Sequence, residues 1–183
     1  ELAEHPDLKM ILRVSIQAQF VQAQRFKVLK ATYAKTGDVA TWFNDAAQYA
    51  YVRQMVLSDR VRPMQCNLLA ETCLTAIAEA NKQLNLPMRV LYVSNAEGYW
   101  PYKPQFRANM IAQHIDQQSY ILRTNPTKKR NGDYAYHIQP MANFQEWLTH
   151  DWVKRVYQII PKTWVKNKDH IPYVFFSGPP VRK

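Results

Sequence analysis

Polar side chains follow an apolar stretch at residues 94 to 97, where Ser94, Asn95 and Glu97 offer a hydroxyl, a carboxamide and a carboxylate. The five residues before them, "RVLYV" at 89–93, have the apolar character of a buried strand. In open α/β sheets, ligands bind beyond the carboxyl ends of the strands, where the backbone leaves a crevice. The sequence therefore predicts a pocket for a polar small molecule at this position.

Arg123 lies at the end of the next predicted strand, "SYILRT" at 119–124. If the two strands are parallel neighbours, Glu97 and Arg123 come within reach of each other. In a pocket, Glu97 would orient a hydroxyl or an amine, and Arg123 would hold an anionic group. The same residues also allow a purely structural interpretation, in which Glu97 pairs with Arg123 or Arg107 and the neighbouring hydroxyl and amide cap the turn.

Two further features add candidates to this pocket. The rings of Tyr99, Trp100 and Tyr102 would form a stacking wall, or would cover the edge of the sheet. His137 is the best placed histidine for general acid–base work, because histidine titrates near neutral pH. The predicted catalytic residues are therefore Glu97 and His137, and the predicted ligand-binding residues are Ser94, Asn95, Trp100, Arg107, Arg123 and Tyr136.

The elements that must position these residues alternate between strand and helix. Predicted strands cover about 88–93, 119–124 and 134–139, with an apolar edge strand near 173–178, and predicted helices cover 104–114 and 142–160. Short joins in such an order predict a right-handed crossover and parallel neighbours. We expect an α/β fold with a small, mostly parallel, Rossmann-like sheet flanked by helices.

The first part of the chain is predicted to be helical. Apolar residues recur at steps of three or four from Pro6 to Gly37, a second helix follows to about Val56, and a third spans about 65–84. We divide the chain into a helical region, 1–62, and a Rossmann-like domain, 63–183, with one compact domain as the alternative. Cys66 and Cys73 would then share one helix about 10 Å apart, which predicts free thiols.

The chain is basic, with 24 Lys and Arg against 14 Asp and Glu and a net charge of +10. Such a surface attracts nucleic acid or an acidic protein. Lys128, Lys129 and Arg130 concentrate this charge in a polar loop. The alternative function is therefore a non-enzymatic basic binding module for an acidic protein or nucleic acid, and a third is a scaffold protein whose first helix packs on a partner.

Several segments resemble a known group of proteins. "RVLYVSNAEGYW", "QFRANM" and "DQQSYILRT", within residues 86–124, are similar to poorly characterised bacterial proteins related in fold to class I S-adenosylmethionine-dependent methyltransferases, and residues 134–148 match more loosely. The resemblance implies a methyltransferase-like domain and S-adenosylmethionine as the cofactor. The nucleotide-binding half of such domains precedes this region, whereas the preceding residues here are predicted helical, so we expect that half to be cut away, replaced or lost.

Some classes of protein are disfavoured by the sequence. The four glycines form neither a G-x-G-x-x-G motif nor a P-loop, which argues against kinases, NTPases and ordinary dinucleotide-dependent oxidoreductases. No Cys/His spacing resembles a metal site, and no apolar run reaches the roughly 18 residues of a membrane span. The chain begins at Glu1, which indicates processing or shortening. The sequence leaves the compartment open: the cytoplasm is slightly favoured, and removal of an export signal would leave the same sequence.

Overall fold

The computed structural model describes residues 45–126, 134–162 and 173–182, together with Trp42 and eight helical positions nearer the start: Arg13, Ser15, Ile16, Gln19, Ala23, Lys27, Ala31 and Lys35. The chain divides into two compact units, 1–64 and 65–183. In the described part of the chain, no helix is both long and apolar enough to cross a membrane.

The first unit contains helix α1, Ala46–Leu57. The Asp45 carboxylate caps its start by accepting a hydrogen bond from the Gln48 amide at 2.6 Å. At its end, the Ser58 hydroxyl donates to the Gln54 carbonyl at 2.7 Å. These caps, with the helical positions before them, confirm the predicted helical N-terminal region.

The second unit is built on a sheet whose four described strands are β1 (Val90–Ser94), β2 (Tyr120–Pro126), β3 (Tyr134–Pro140) and β4 (Tyr173–Phe175), in that spatial order. The pairs β1/β2 and β3/β4 are parallel, and the central pair β2/β3 is antiparallel. The predicted α/β fold with a small, mostly parallel sheet is confirmed. The antiparallel pair follows from the short link at 127–133, because a parallel crossover needs a dozen or more residues.

Three described helices accompany this sheet: α2 (Cys73–Gln83), α3 (Pro104–Ile111) and α4 (Met141–Leu148). Helix α3 connects β1 to β2 and is the predicted crossover, with Pro104 at its first turn, where a missing amide proton costs no hydrogen bond. Short 3₁₀ helices at Ala96–Tyr99 and Val156–Gln158 complete the unit.

The two faces of the sheet differ in burial. On the inner face, Phe106, Met110 and Phe144 pack with Ile121 in the hydrophobic core. On the outer face, Val90 and Tyr92 of β1 are exposed. The inner face nevertheless carries three buried polar side chains, which belong to Arg123, His137 and Gln139. Buried polar groups need partners, and those partners define the site.

The predicted third helix begins later than expected. Residues before Cys73 form turns, in which the Asn67 side chain accepts a hydrogen bond from the Leu69 amide at 3.0 Å. These turns bring the α-carbons of Cys66 and Cys73 to 5.6 Å, and the two residues form a disulfide. The prediction of free thiols is wrong because it assumed helical spacing. Disulfides are typical of proteins in oxidising compartments.

The predicted helix at 142–160 is also shorter than expected. Helix α4 ends at Leu148, and the buried guanidinium of Arg107 donates to the carbonyl oxygens of Leu148, His150 and Val153. Arg107 thus provides a partner for carbonyls at and beyond the helix end, where intrahelical donors are missing. The chain instead forms a loop that leads into the 3₁₀ helix at Val156–Gln158.

Candidate ligand site at the strand ends

Glu97 and Arg123 form an ion pair inside the protein, where they are 2% and 1% exposed. The Arg123 Nε donates to Glu97 Oε2, and the Tyr102 hydroxyl donates to Glu97 Oε1 at 2.6 Å. Both carboxylate oxygens are therefore occupied. Parallel neighbouring strands bring the pair together, as predicted. The contact is the one that the structural alternative describes, and Glu97 is buried, while its predicted catalytic role stays a prediction.

The pair extends into a buried polar cluster of Glu97, Tyr102, Arg123 and Gln139. Arg123 Nη1 donates to Gln139 Oε1 at 2.8 Å, and the guanidinium carbon lies 4.5 Å from the centre of the Phe144 ring, a cation–π contact. Burial, and then the charge of Glu97, raise the pKa of Tyr102 well above its ordinary value. Tyr102 therefore keeps its proton and remains a hydrogen-bond donor.

A cleft opens beside this cluster, at the carboxyl ends of β1 and β2. It has a volume of about 160 Å³ and is lined by Asn95, Gly98, Tyr99, Asn125 and Tyr157. We call it the strand-end cleft. Its location is where an open α/β sheet leaves space for a ligand. Of the predicted ligand-binding residues, only Asn95 lines it.

The end of β1 is irregular, and this irregularity separates the cluster from the cleft. The register with β2 shifts between Tyr92 and Ser94, which leaves Val93 as a bulge. Ser94 then adopts a left-handed φ of 52°, and its hydroxyl lies 3.2 Å from that of Thr124. Ser94 is thus engaged within the sheet, and the chain turns so that Asn95 lines the cleft while Glu97 is buried.

Close packing closes one side of the strand-end cleft. A β-carbon added to Gly98 would lie 2.8 Å from the Tyr157 hydroxyl oxygen, so a larger residue there would displace the tyrosine. Gly98 therefore allows Tyr157, which lies far away in the sequence, to contribute its ring to the same cleft as Asn95.

His137 lies behind the cleft and does not line it. It is 3% exposed, and its Nδ1 lies 3.3 Å from the amide nitrogen of Asn125. Burial, and then the charge of Arg123, lower the pKa of His137, while the carbonyls of Pro161 and Ala135 oppose this shift. Neutral His137 therefore accepts a hydrogen bond from Asn125. His137 thereby positions the carboxamide of Asn125, and its predicted catalytic role stays a prediction.

The other predicted site residues lie elsewhere. Trp100 is half-buried and packs against Phe106, with ring centres 6.0 Å apart. Arg107 holds the loop after α4, as described above, and also donates from Nε to the Tyr102 carbonyl at 3.0 Å. Tyr136 is half-buried and alternates with the inward-facing residues of β3. None of these three lines the cleft. Lys128, Lys129 and Arg130 lie outside the described residues.

The sequence predicted part of this lining, namely Asn95 and the ring of Tyr99. Asn125 belongs to the segment that follows the predicted second strand and was expected beside Asn95, although it was not among the predicted ligand-binding residues. Tyr157 gave no comparable signal, because its position depends on the loop held by Arg107. Gly98 was visible only as a glycine within a turn.

The volume of the strand-end cleft and the side chains near it show whether S-adenosylmethionine fits there. Ligands of that size need roughly 300–1,000 Å³, whereas this cleft has about 160 Å³. Glu97, the nearby carboxylate, is engaged with Tyr102 and Arg123 and cannot accept ribose hydroxyls. The residues present do not fit this cofactor here. Among the described residues, no group of three or more His, Cys, Asp or Glu could hold a metal ion.

These features define a small α/β domain with a polar cleft at the ends of two parallel strands. The chain belongs to the family described as a domain of unknown function, DUF7790, whose model matches residues 2–171. The match includes both compact units. No curated protein matches the chain. The resemblance to methyltransferase-related proteins stays a prediction.

Proposed function

We propose that the α/β unit binds a small, neutral, polyhydroxylated molecule of about monosaccharide size in the strand-end cleft. The observation that carries this proposal is the presence of two carboxamides in the lining of one cleft: Asn95, directly after β1, and Asn125, near the carboxyl end of the parallel neighbouring strand β2. A charged ligand is disfavoured, because none of the five described lining residues carries a charge.

The two carboxamides suit hydroxyl groups. A carboxamide both donates and accepts hydrogen bonds, and so does a hydroxyl. The amide nitrogen of Asn125 is engaged with His137, while its oxygen has no hydrogen-bond partner among the described residues and is free to accept from a ligand. Vicinal hydroxyls of a sugar offer the donors and acceptors that such an arrangement can use.

The rings and the size of the cleft agree with this class of ligand. Tyr99 and Tyr157 are 78% and 55% exposed, so their rings can cover the apolar C–H face of a sugar. The cleft volume of about 160 Å³ lies below the roughly 300–1,000 Å³ typical of sites for larger ligands, which agrees with a ligand of monosaccharide size.

Two other functions remain proposals with less support. A methyltransferase-like activity is supported only by the resemblance and by the position of the cleft at strand ends. The predicted catalytic residues add no support, because neither Glu97 nor His137 lines the cleft. A basic module acting through Lys128–Arg130 draws on the net charge of +10. Its loop lies outside the described residues.

Saturation-transfer NMR with glucose, galactose, mannose, ribose and glycerol tests the proposal. We expect at least one sugar to bind the wild type, and Asn95→Ala and Asn125→Ala each to weaken its binding about tenfold, because each removes hydrogen bonds made in a desolvated cleft. Asn81→Ala is the matched control, since Asn81 lies on α2 with no side-chain hydrogen bond among the described residues. The proposal fails if no sugar binds, or if the control weakens binding as much.

A further inference from the structure

We infer that a second cleft of the α/β unit binds nucleoside phosphates. This cleft has a volume of about 460 Å³ and is lined by Trp152, Lys154, Tyr157, Gln158, Lys162 and Arg182. We call it the basic cleft. Its volume lies within the roughly 300–1,000 Å³ typical of sites for ligands of nucleotide size.

The positive charge of the basic cleft favours the binding of an anion. Lys154, Lys162 and Arg182 are exposed, and within the described part of the chain none of them forms an ion pair. No carboxylate is among the lining residues. Three like charges around one cleft repel one another, and a phosphate group relieves that repulsion while accepting charge-assisted hydrogen bonds.

The backbone that presents Lys154 is held in place before any ligand arrives. Gln158 Oε1 accepts hydrogen bonds from the amides of Lys154 and Arg155 at 2.6 and 2.9 Å, and Gln158 Nε2 donates to the Trp152 carbonyl at 2.9 Å. The intervening Val153 is buried and is bound at its carbonyl by Arg107. A preorganised site loses less conformational entropy on binding, which raises affinity.

Two aromatic side chains extend the recognition beyond phosphate alone. Trp152 is half-buried and fixed against Trp147 and His150, with ring centres 5.9 and 5.6 Å apart. Tyr157 is exposed. Aromatic rings beside a basic groove are the arrangement that stacks nucleobases while cations hold the phosphates. A free nucleotide and one unit of a single-stranded nucleic acid share this chemistry.

The basic cleft and the strand-end cleft are different sites. Tyr157 lines both clefts, but the cations lie only in the basic cleft and the two asparagines only in the strand-end cleft. Loss of sugar binding in Asn95→Ala with nucleotide binding retained would separate the two sites. Failure of one proposal leaves the other open to its own test.

Isothermal titration of the full chain at physiological salt tests the basic cleft. The probes are adenosine diphosphate, inorganic pyrophosphate and a short single-stranded oligothymidylate. We expect saturable binding, with adenosine diphosphate tighter than pyrophosphate. Each single variant, Lys154→Ala, Lys162→Ala or Arg182→Ala, should weaken binding about tenfold, the loss of one charged hydrogen bond. Tyr157→Leu should weaken adenosine diphosphate about tenfold and leave pyrophosphate unchanged, because only the base stacks.

The control is a triple variant with the same change in charge, Arg60→Ala, Lys82→Ala and Lys103→Ala, at exposed positions outside the basic cleft. We expect it to retain nearly full affinity, whereas the cleft triple variant loses binding. If oligothymidylate binds more tightly than adenosine diphosphate, the ligand of the basic cleft is a single-stranded nucleic acid. If adenosine diphosphate binds more tightly, the ligand is a free nucleotide. Equal losses in both triple variants, or no binding of any probe to the wild type, would overturn the inference.

Discussion

The buried polar cluster and the strand-end cleft both contain residues from the ends of β1 and β2, but they contain different kinds of side chain. After β1, Glu97 is buried and Asn95 lines the cleft; from β2, Arg123 is buried and Asn125 lines it. The charged side chains are paired with each other inside the protein, and the neutral carboxamides face the open space. This difference indicates that the charged pair stabilises the two strand ends, whereas the carboxamides are available to bind a ligand.

The cost of burying charge explains this division. Removing two charges from water is expensive, and a buried pair is tolerated only when its hydrogen bonds are well satisfied. Glu97 meets that condition through Arg123 and Tyr102. A ligand that competed for Glu97 would have to break both interactions, whereas a ligand in the cleft displaces only water.

The largest effect is expected from Glu97→Gln. The substitution leaves the buried charge of Arg123 without a counter-ion, so the free energy of unfolding should fall by about 3 kcal/mol. Urea unfolding followed by circular dichroism measures this change. Glu79→Gln is the control, because Glu79 is exposed on α2 and should change stability by less than about 0.5 kcal/mol. Equal stability of Glu97→Gln and wild type would refute a structural role for the pair.

A smaller loss is expected from Tyr102→Phe. The ring stays packed against Phe106, whose centre lies 4.9 Å away, while the hydrogen bond to Glu97 disappears. A hydrogen bond to a charged group contributes about 2 kcal/mol, so the same unfolding measurement should show a loss of that size. Tyr99→Phe, at an exposed ring, provides the comparison. A neutral result at Tyr102 would mean that Glu97 is satisfied without it.

The pH dependence of stability should reveal His137. Its pKa in the folded protein is lowered by burial and by Arg123, whereas the unfolded chain has an ordinary pKa of about 6.5. The unfolded state therefore binds a proton first, and stability is complete above about pH 6.5 and declines as the pH falls below it. Urea unfolding of wild type and His137→Gln across this range isolates the contribution. A wild-type curve parallel to that of the variant would contradict the shift.

The smallest change in stability is expected at the cleft. Asn95→Ala should alter the free energy of unfolding by less than about 0.5 kcal/mol, because the Asn95 side chain makes no hydrogen bond among the described residues. Thermal melts of the purified variant check this. A large loss would place Asn95 in the structural framework and remove it from the proposed ligand site.

Part of this organisation could be predicted from the sequence. The crossover through α3 makes β1 and β2 parallel neighbours, and that alone brings Glu97 and Arg123 together. Which residue is buried could not be foreseen, because the bulge at Val93 and the left-handed φ of Ser94 change the direction of the chain after β1. A bulge changes the side of the sheet on which the following residues lie. Strand alternation alone therefore does not predict which side chains after β1 line the cleft.

Long-range contacts account for what the sequence did not predict. Tyr157 reaches the strand-end cleft from the loop after α4, whose backbone is bound by the side chains of Arg107 and Gln158. The disulfide between Cys66 and Cys73 likewise depends on turns that replace the expected helix. Local periodicity reports the secondary structure of a segment, but it does not reveal a side chain that captures carbonyls from another segment.

The most direct test compares Glu97→Gln and Asn95→Ala in two assays, urea unfolding and saturation-transfer NMR with the tightest-binding sugar of the panel. The division of roles predicts that Glu97→Gln loses about 3 kcal/mol of stability while its folded molecules still bind the sugar. It predicts that Asn95→Ala keeps its stability and loses the sugar. A Glu97→Gln variant as stable as wild type but unable to bind would contradict the division and return Glu97 to the ligand site.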